Sequence, residues 1–282
     1  MNIGIQGTIG SFHYEVAKNI FGDQHHFVEC MDFNDIPILL KQGKIDKGVM
    51  AVENTIAGSI LANYALIDEY DLHIAEEYYL PIAHHLMALP GQTVDDIKEV
   101  WSHPMALLQC RKFLRSNPHI KLVEEKDTAE MAKIIQQKQL KGIAAIAGYE
   151  AAKIYKLDIL ADNIQTNKIN ATRFVVLDLD NGDADVNFDK VSIRFKLSHK
   201  PGSLVSVLQV FNKYGLNMSK IQSLPIIDKP WEYAFFVDLL IEDLQAYRAA
   251  MYEVARQVIE LKILGEYKGK QRAVLSDNIK GH

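Results

Sequence analysis

Thr172 and Arg173 are the neighbouring residues whose side chains are best suited to chemistry. They stand in the segment Asn170-Ala171-Thr172-Arg173-Phe174, directly before an apolar run at residues 175–177. A threonine hydroxyl can give a hydrogen bond or a proton to a substrate oxygen, and a guanidinium can hold a carboxylate through two parallel hydrogen bonds. Taken alone, this segment is also typical of a strand edge with one solvated arginine, so the chemical interpretation depends on other segments.

Two earlier segments place hydroxyl and amide side chains where a predicted strand passes into a helix. Residues 7–12 contain two glycines and Ser11, which can cap the following helix, and free amides at a helix start favour anions. The G-x-G-x-x-G spacing of a dinucleotide site is missing there. Residues 53–58 contain Asn54, whose amide both donates and accepts, and Thr55, which can satisfy helix amides or face a ligand.

A third predicted junction contains Ser102 and, further along, Gln109. Pro104 suits the first turn of a helix, which places Ser102 just outside the helix start in the position that favours anions. Gln109 lies more than one turn further on, and its direction depends on how that helix packs. His103 can act as a general acid near neutral pH, although a capping or packing role is the simpler interpretation.

The elements that position these residues follow an α/β pattern up to about residue 178. Apolar runs at residues 3–5, 48–52 and 143–146 predict buried strands, and segments with helical periodicity lie between them. This alternation predicts a largely parallel sheet, whose ligands bind beyond the carboxyl ends of its strands. A cleft rich in hydroxyls and amides, with one arginine, suits a small polyanion such as a dicarboxylate. No Ser-His-Asp order or paired-carboxylate motif is present, so the chemistry must need little beyond charge placement and one weak acid.

A different pattern follows residues 181–185, which are polar and helix-breaking and which we interpret as a linker. Residues 191–197 alternate strictly, as in a half-buried strand, and Pro201-Gly202-Ser203 opens a helix that ends near Gly215. Two strands, a helix and a last strand complete the order β-α-β-β-α-β, which is the ferredoxin-like unit. The tail from residue 269 is polar.

Composition excludes several classes of function. The chain of 282 residues has a net charge of −5 without a lysine-rich block, which argues against nucleic acid as a main partner. We expect no membrane partner and no metal, because long apolar stretches and zinc-type spacings are both missing. The start lacks the pattern of a signal peptide, and Cys30 and Cys110 are far apart, so we expect reduced thiols in the cytoplasm.

Three ordered blocks resemble those of the prephenate dehydratase family. The blocks are Glu53-Asn54-Thr55-x-x-Gly58, Ser102-His103-Pro104 with Gln109-Cys110, and Asn170-x-Thr172-Arg173-Phe174. The resemblance implies a two-lobed, periplasmic-binding-protein-like catalytic domain at residues 1–180. It also implies a ferredoxin-like (βαββαβ) ACT regulatory domain at residues 190–267 and a polar tail at 268–282. The implied enzyme is a carbon–oxygen lyase that makes phenylpyruvate from prephenate in phenylalanine biosynthesis, with no cofactor.

The resemblance also implies roles for individual residues. Thr172 would donate a hydrogen bond to the departing hydroxide, and Arg173 would pair with the side-chain carboxylate of prephenate. The other substrate-binding residues would be Asn54, Ser102 and Gln109, with Ser11 and Thr55 nearby.

Regulation by phenylalanine at a subunit interface of the ACT domain is a further implication, with a homodimer or homotetramer formed through that domain. The residues that would present backbone and amide groups to the amino acid are Gly202, Ser203, Leu204 and Asn217. Gln222 and Leu224 stand where the family commonly has glutamate and arginine, which leaves open whether phenylalanine is still the effector.

A second class of function is compatible with two α/β lobes around a cleft. Solute receptors and the sensor domains of regulators share that architecture, so the alternative is an aromatic amino-acid or dicarboxylate sensor without catalysis. Thr172 and Arg173 favour the enzyme over the sensor.

Overall fold

The computed structural model describes residues 1–179, 187–226 and 232–270. The predicted linker at residues 181–185 and most of the predicted tail lie outside these ranges. Up to residue 179 the chain alternates strands and helices, as its sequence predicts. The elements are β1 (Asn2–Gln6), α1 (Phe12–Phe21), β2 (His26–Cys30), α2 (Asp35–Lys41), β3 (Lys47–Asn54), β4 (Gly58–Ser59), α3 (Leu61–Glu69), β5 (His73–Pro81), β6 (His85–Ala88), a 3₁₀ turn at Val94–Asp96, β7 (Glu99–Ser102), α4 (Pro104–Gln109), α5 (Arg111–Arg115), β8 (Lys121–Glu124), α6 (Thr128–Lys138), β9 (Ile143–Ala147), α7 (Tyr149–Tyr155), β10 (Asp158–Ala161) and β11 (Ala171–Asp178).

The first sheet has the strand order β2-β1-β3-β11-β5, and β4 pairs with β3. β1 is parallel to both β2 and β3, as the α/β pattern predicts. Asn54 is the last residue of β3 and Ala171 is the first residue of β11. The Thr55 amide donates to the Ala171 carbonyl at 2.9 Å, so these two strand ends lie side by side.

The second sheet has the order β10-β6-β9-β7-β8 and is mixed rather than largely parallel. β7 is parallel to β8 and β9, whereas β6 is antiparallel to β9 and β10. Antiparallel strands at one edge of an otherwise parallel sheet are common in α/β folds. The sequence pattern did not predict β6 or β10, because each has four residues and is too short to show a clear alternation.

The C-terminal part has the predicted order β-α-β-β-α-β. Its elements are β12 (Lys190–Lys196), α8 (Ser203–Lys213), β13 (Asn217–Pro225), β14 (Tyr233–Leu240), α9 (Leu244–Ala255) and β15 (Glu260–Tyr267). The sheet order is β13-β14-β12-β15, with β12 antiparallel to both β14 and β15. Val191, Ile193 and Phe195 are fully buried, as the alternation predicts. Lys190, Ser192 and Arg194 on the other face are buried as well, so β12 is not the half-buried strand that we expected. This is the ferredoxin-like arrangement.

By contact density the chain forms two compact units. Among the described residues, the first comprises 1–58 and 79–174, and the second comprises 59–78 with those of 175–271. Residues 59–78 group with the C-terminal strands because ion pairs and close backbone packing connect them. Arg194 Nη2 lies 2.9 Å from Asp68 Oδ2, and a Cβ atom on Gly265 would lie 2.1 Å from the Ile74 carbonyl oxygen. The predicted domain boundaries at residues 180 and 190 stay a prediction, because they divide the chain along its sequence and the two compact units do not.

Within the described residues, no helix combines the length and apolarity needed to cross a bilayer.

Candidate active site

Asn54 is held in one orientation by the backbone that follows it. Its side-chain Oδ1 accepts hydrogen bonds from the amides of Ile56 and Ala57, both at 2.9 Å. Asparagine side chains commonly fix a turn in this way, since the side chain mimics a backbone carbonyl. Because the two donors are backbone N–H groups, the amide oxygen must face them and the amide nitrogen must face the opposite way.

The Asn54 amide nitrogen points to Thr172. Nδ2 donates to Thr172 Oγ1 at 2.9 Å and to Asn170 Oδ1 at 2.9 Å. The Thr172 oxygen is therefore an acceptor in this pair, and its own hydrogen is left to donate elsewhere. Both side chains are largely buried, at 9% and 8% exposed. The arrangement leaves the Thr172 hydroxyl able to donate a hydrogen bond.

The same polarity continues from Asn170 to Gln109. Asn170 uses its oxygen to accept from Asn54, so its Nδ2 is the donor to Gln109 Oε1 at 3.0 Å. With its oxygen occupied, Gln109 has its amide nitrogen on the other side. Among the described residues, that nitrogen makes no hydrogen bond and its side chain is half-buried. Gln109 therefore offers a second donor.

His84 is the last member of this hydrogen-bonded chain, and the sequence did not mark it. Its Nε2 lies 2.9 Å from Gln109 Oε1, and the residue is 3% exposed. Burial lowers the pKa of His84 to about 4, so the ring is neutral near pH 7. In the sequence, His84 stands out only as the neighbour of His85, and nothing in that pairing indicates a partner for Gln109.

Ser11 caps helix α1, as predicted. Its Oγ accepts from the Tyr14 amide at 3.2 Å and donates to the Gln6 carbonyl at 3.3 Å. The side chain is buried, and both its donor and one acceptor position are used within the fold. The predicted contact of Ser11 with substrate therefore has no free donor to support it.

Thr55 joins the two strand ends beside Asn54. Its Oγ1 accepts from the Ala171 amide at 3.0 Å, while its own amide donates to the Ala171 carbonyl. The residue is exposed, so its hydroxyl hydrogen remains accessible to a ligand. Its observed role is to hold the start of β11, and hence Thr172, next to Asn54.

Ser102 differs from the expectation that it faces a ligand. Its hydroxyl donates to the Ile146 carbonyl at 2.7 Å, and the residue is fully buried. This bond joins the ends of the neighbouring strands β7 and β9. The sequence correctly indicated a hydroxyl at a strand end, but in this geometry its hydrogen serves the backbone of the next strand.

Arg173 is not placed beside the Thr172 hydroxyl. Both residues lie in β11, and successive side chains of a strand point to opposite faces of the sheet. Arg173 is 3% exposed and makes interactions of its own. The two side chains therefore do not share a face of β11, and the expected contact of Arg173 with the side-chain carboxylate of prephenate stays a prediction that KM measurements test.

Comparisons with known proteins indicate which family this hydrogen-bonded group of side chains belongs to. A family model described as prephenate dehydratase matches residues 3–181. The chain belongs to the prephenate dehydratase family. The bifunctional chorismate mutase/prephenate dehydratase of Aquifex aeolicus is 35% identical over 272 residues, which is 95% of this chain and 73% of the relative.

Two further relatives extend the comparison. Arogenate dehydratase/prephenate dehydratase 1 of Arabidopsis thaliana, a chloroplastic protein, is 36% identical over 253 residues, covering 84% of this chain and 64% of the relative. The structure of prephenate dehydratase from Arthrobacter aurescens in complex with L-Phe has a TM-score of 0.86 at 24% identity and covers 100% of both chains. The family fold, two α/β lobes followed by a ferredoxin-like module, is thus the fold of this chain.

Two other polar residues of this prephenate dehydratase family member cap helices, and for His103 this is the simpler role that the sequence indicates. His103 Nδ1 accepts from the Met105 amide at 3.2 Å at the start of α4. Asp127 Oδ1 accepts from the Glu130 amide at 2.8 Å at the start of α6. With its Nδ1 occupied by a backbone donor, His103 serves the helix start. In the described ranges, no three His, Cys, Asp or Glu side chains converge as metal ligands.

The residues implied in regulation are only partly brought together. Ser203 and Leu204 line a cavity of about 360 Å³ in the C-terminal module. Gly202 precedes them with φ +83°, a conformation that favours glycine. Asn217, at the first position of β13, pairs with Leu240 and is not among the cavity-lining residues.

Gln222 and Leu224 lie further along the same strand. The Gln222 side chain donates to the Ser223 carbonyl at 3.0 Å, and Leu224 is buried. Neither carries a charge to this part of the module.

Proposed function

We propose that this protein converts prephenate to phenylpyruvate by decarboxylative dehydration, as a step of phenylalanine biosynthesis. In this reaction the ring carbon–oxygen bond breaks and its electron pair leaves with the hydroxyl. The bond to the ring carboxylate breaks as well, and its electron pair enters the ring while carbon dioxide departs. Aromatisation drives the reaction, so the enzyme needs to hold the dianion and stabilise the departing oxygen.

The observation that carries the proposal is the hydrogen bond from Asn54 to Thr172. It commits the Thr172 oxygen as an acceptor and leaves the hydroxyl hydrogen for the departing oxygen. A neutral hydroxyl is a weak acid, so Thr172 acts as a fixed donor whose bond strengthens as negative charge builds on the leaving group. In a water-excluded site such a donor is already oriented before the bond breaks.

Gln109 supplies the second donor through its free amide nitrogen, which we assign to a carboxylate of the substrate. Arg173 lies in the same strand as Thr172, and its side chain is directed to the other face of β11. Asn54 and Asn170 contact one another and orient these groups, so their part is to position the donors.

Neither proton transfer to a strong base nor electron transfer occurs in this reaction, and we therefore propose that it needs no metal, nucleotide or other cofactor. The purified protein is assayed with prephenate after exhaustive chelation and dialysis, and phenylpyruvate is followed by its absorbance. We expect full activity. Loss of activity that returns only with an added metal would contradict the cofactor-free proposal.

Arogenate is the substrate that must be compared with prephenate, since one plant relative bears both names. The two compounds differ at the side chain, where arogenate carries an ammonium group instead of a keto group. We expect faster turnover of prephenate, measured as kcat/KM for each compound with the same preparation. If neither compound is consumed, the dehydratase proposal fails; if arogenate is preferred, the reaction stands and the named substrate is replaced.

We further propose that phenylalanine binds the C-terminal module and that the module associates into a homodimer or homotetramer. The cavity beside Ser203 and Leu204 supports a ligand site, and the edge strand β13 offers a surface for pairing. Calorimetry with phenylalanine, with and without a prephenate analogue, tests the ligand. Coupling to the active site requires that each ligand weaken the other by the same factor.

The cytoplasm is the proposed compartment. Cys30 and Cys110 are both buried free thiols, as expected in a reducing environment.

A further inference from the structure

We propose that His84 is a positioning residue for the dehydration, holding the Gln109 amide through a hydrogen bond donated by Nε2. It would act as the neutral tautomer that carries its hydrogen on Nε2. This inference rests on the proposed dehydratase activity, and it adds a residue outside the blocks that identify the family. The argument begins with the polarity of the hydrogen-bonded chain.

The direction of every bond in the chain is determined by two backbone amides. Ile56 and Ala57 donate to Asn54 Oδ1, so Asn54 must donate to Asn170 Oδ1. Asn170 must then donate to Gln109, which places the Gln109 oxygen toward Asn170. That same oxygen lies 2.9 Å from His84 Nε2. Two acceptors cannot pair, so the His84 hydrogen has to be on Nε2.

The surroundings of His84 hold its ring in place. The ring meets Phe12 edge-on, with centroids 5.7 Å apart. Its backbone amide donates to Gln165 Oε1 at 3.0 Å, and its carbonyl accepts from the Ile164 amide at 2.8 Å. Hydrogen bonds thus hold the backbone of His84, and the contact with Phe12 restricts its ring. These contacts favour the rotamer in which Nε2 reaches Gln109.

A purely structural role does not account for a histidine at this position. His84 Nδ1 is buried and has no hydrogen-bond partner among the described residues. Leaving an acceptor unpaired in a buried place costs free energy that a phenylalanine ring would avoid. The benefit that offsets this cost is the bond to Gln109, which is the one hydrogen bond that the ring nitrogens make to any residue the structure describes.

His84 does not serve as the acid itself. The lowered pKa of about 4 keeps the ring uncharged at neutral pH, and its one hydrogen is already donated to Gln109. Without this bond, Gln109 would keep a single donor at its oxygen, and its amide could turn away. Side chains that orient a metal ligand typically contribute about 10- to 100-fold to activity, and we expect an effect of similar size for His84 on Gln109.

The first experiment compares three substitutions of His84 that place a side-chain N–H donor at the Nε2 position, at the Nδ1 position or at neither. In His84→Gln the amide nitrogen is as many bonds from the backbone as Nε2 is, whereas in His84→Asn it takes the place of Nδ1. His84→Phe keeps the ring and removes both nitrogens. We expect kcat to fall about 10- to 100-fold for the Asn and Phe variants, and His84→Gln to recover most of it. Equal activity in all three variants would overturn the proposal.

His85→Phe is the matched control. His85 is buried on the neighbouring position of the same segment, and its Nδ1 faces Asp162 at 2.6 Å instead of Gln109. Circular dichroism and thermal unfolding of each variant measure the folded fraction. We expect the control to keep the wild-type kcat per folded molecule. A loss in the control as large as that of His84→Phe would assign the effect to the strand and overturn the proposal.

A double-mutant cycle tests whether His84 acts through Gln109. In a Gln109→Ala background, His84→Phe should lower kcat by less than about twofold, because residues in one network are not additive. The same fold-loss in both backgrounds would contradict the proposal. Nitrogen-15 NMR of the labelled histidines in the wild-type protein is independent of turnover. It should show a neutral ring protonated on Nε2 whose signals disappear in His84→Gln. Failure of the wild-type enzyme to consume prephenate would instead contradict the proposed function, while this spectrum would still report the hydrogen bond.

Discussion

The Asn54 amide nitrogen donates to the Thr172 hydroxyl oxygen at 2.9 Å, and the oxygen of the same amide accepts two backbone N–H groups. The backbone after β3 thus determines which way the Thr172 hydroxyl can donate. A turn that begins at the end of one strand sets the polarity of a side chain on another, and the direction of this bond leads to the first two predictions.

Thr172→Val should lower kcat about 10²–10³-fold with a small change in KM, since the lost bond matters most when charge builds on the departing oxygen. Thr172→Ser keeps the hydroxyl and should retain much of the rate. Steady-state kinetics with prephenate measure both. A valine variant with more than about half of the wild-type kcat would show that another group assists departure.

Asn54→Asp should reverse the polarity of Thr172. A carboxylate still accepts from the two backbone amides, but its second oxygen accepts the Thr172 hydrogen and withdraws it from the substrate. We expect a loss of kcat similar to that of Thr172→Val. Because burial raises the pKa of a carboxyl group, acidification should protonate it, return a donor and restore activity. A pH profile parallel to that of the wild type would contradict this mechanism.

Arg173→Lys should lower thermal stability while leaving KM nearly unchanged. The guanidinium is buried and engaged in other interactions, and it points away from the Thr172 side of β11. A lysine cannot reproduce the planar set of five donors. Thermal unfolding and KM are measured on the same preparation. A raised KM at unchanged stability would instead place the guanidinium on the substrate.

The protein should lose stability as the pH falls below about 6.5, partly through His13. Burial lowers the pKa of His13 to about 3, and its Nε2 accepts from the Ala51 amide at 3.3 Å, which requires a neutral ring. The unfolded chain binds a proton near its ordinary pKa of about 6.5, so between these values each pH unit removes about 1.4 kcal/mol. Urea unfolding at several pH values gives the free energy of unfolding as a function of pH. We expect this free energy to change less steeply with pH in His13→Leu than in the wild type. Equal slopes would mean that His13 is protonated in the folded state.

The buried ion pair of Lys190 and Glu77 should couple residues 59–78 to the C-terminal sheet. The two charged atoms are 2.7 Å apart, with side chains 6% and 1% exposed. Lys190→Met removes this cation from the buried carboxylate and should lower the free energy of unfolding by about 3–5 kcal/mol. Adding Glu77→Gln should recover part of that loss. The exposed pair of Lys121 and Glu99 is the control, and Lys121→Met should change stability little.

The sequence predicted the type of most site residues but not their partners. Asn54, Gln109 and Thr172 were expected in one cleft, and the structure links them in one hydrogen-bonded chain. The hydroxyls of Ser11 and Ser102 were expected to face the substrate, but both donate to backbone carbonyls. Residue types reveal which groups can donate, whereas the acceptor depends on tertiary packing that a one-dimensional pattern does not contain.

His84 and residues 59–78 show two other reasons why sequence reasoning stopped short. His84 precedes β6, a strand of four residues whose short apolar run carries no clear periodicity. Residues 59–78 were expected in the catalytic domain because they lie between its strands along the chain. They group with the C-terminal strands through ion pairs that are far apart in sequence, such as Asp68 with Arg194.

The packing of Gly265 and the ion pairs of Lys190 and Arg194 limit where this protein can be truncated for expression. An expression fragment that ends near residue 180 would remove Lys190 and Arg194 and leave Glu77 and Asp68 without these cations. It would also uncover Ile74, against which Gly265 packs without room for a side chain. A truncation near residue 180 would therefore expose a surface of charged and apolar side chains. An isolated catalytic fragment would need substitutions on that surface before it could be purified in folded form.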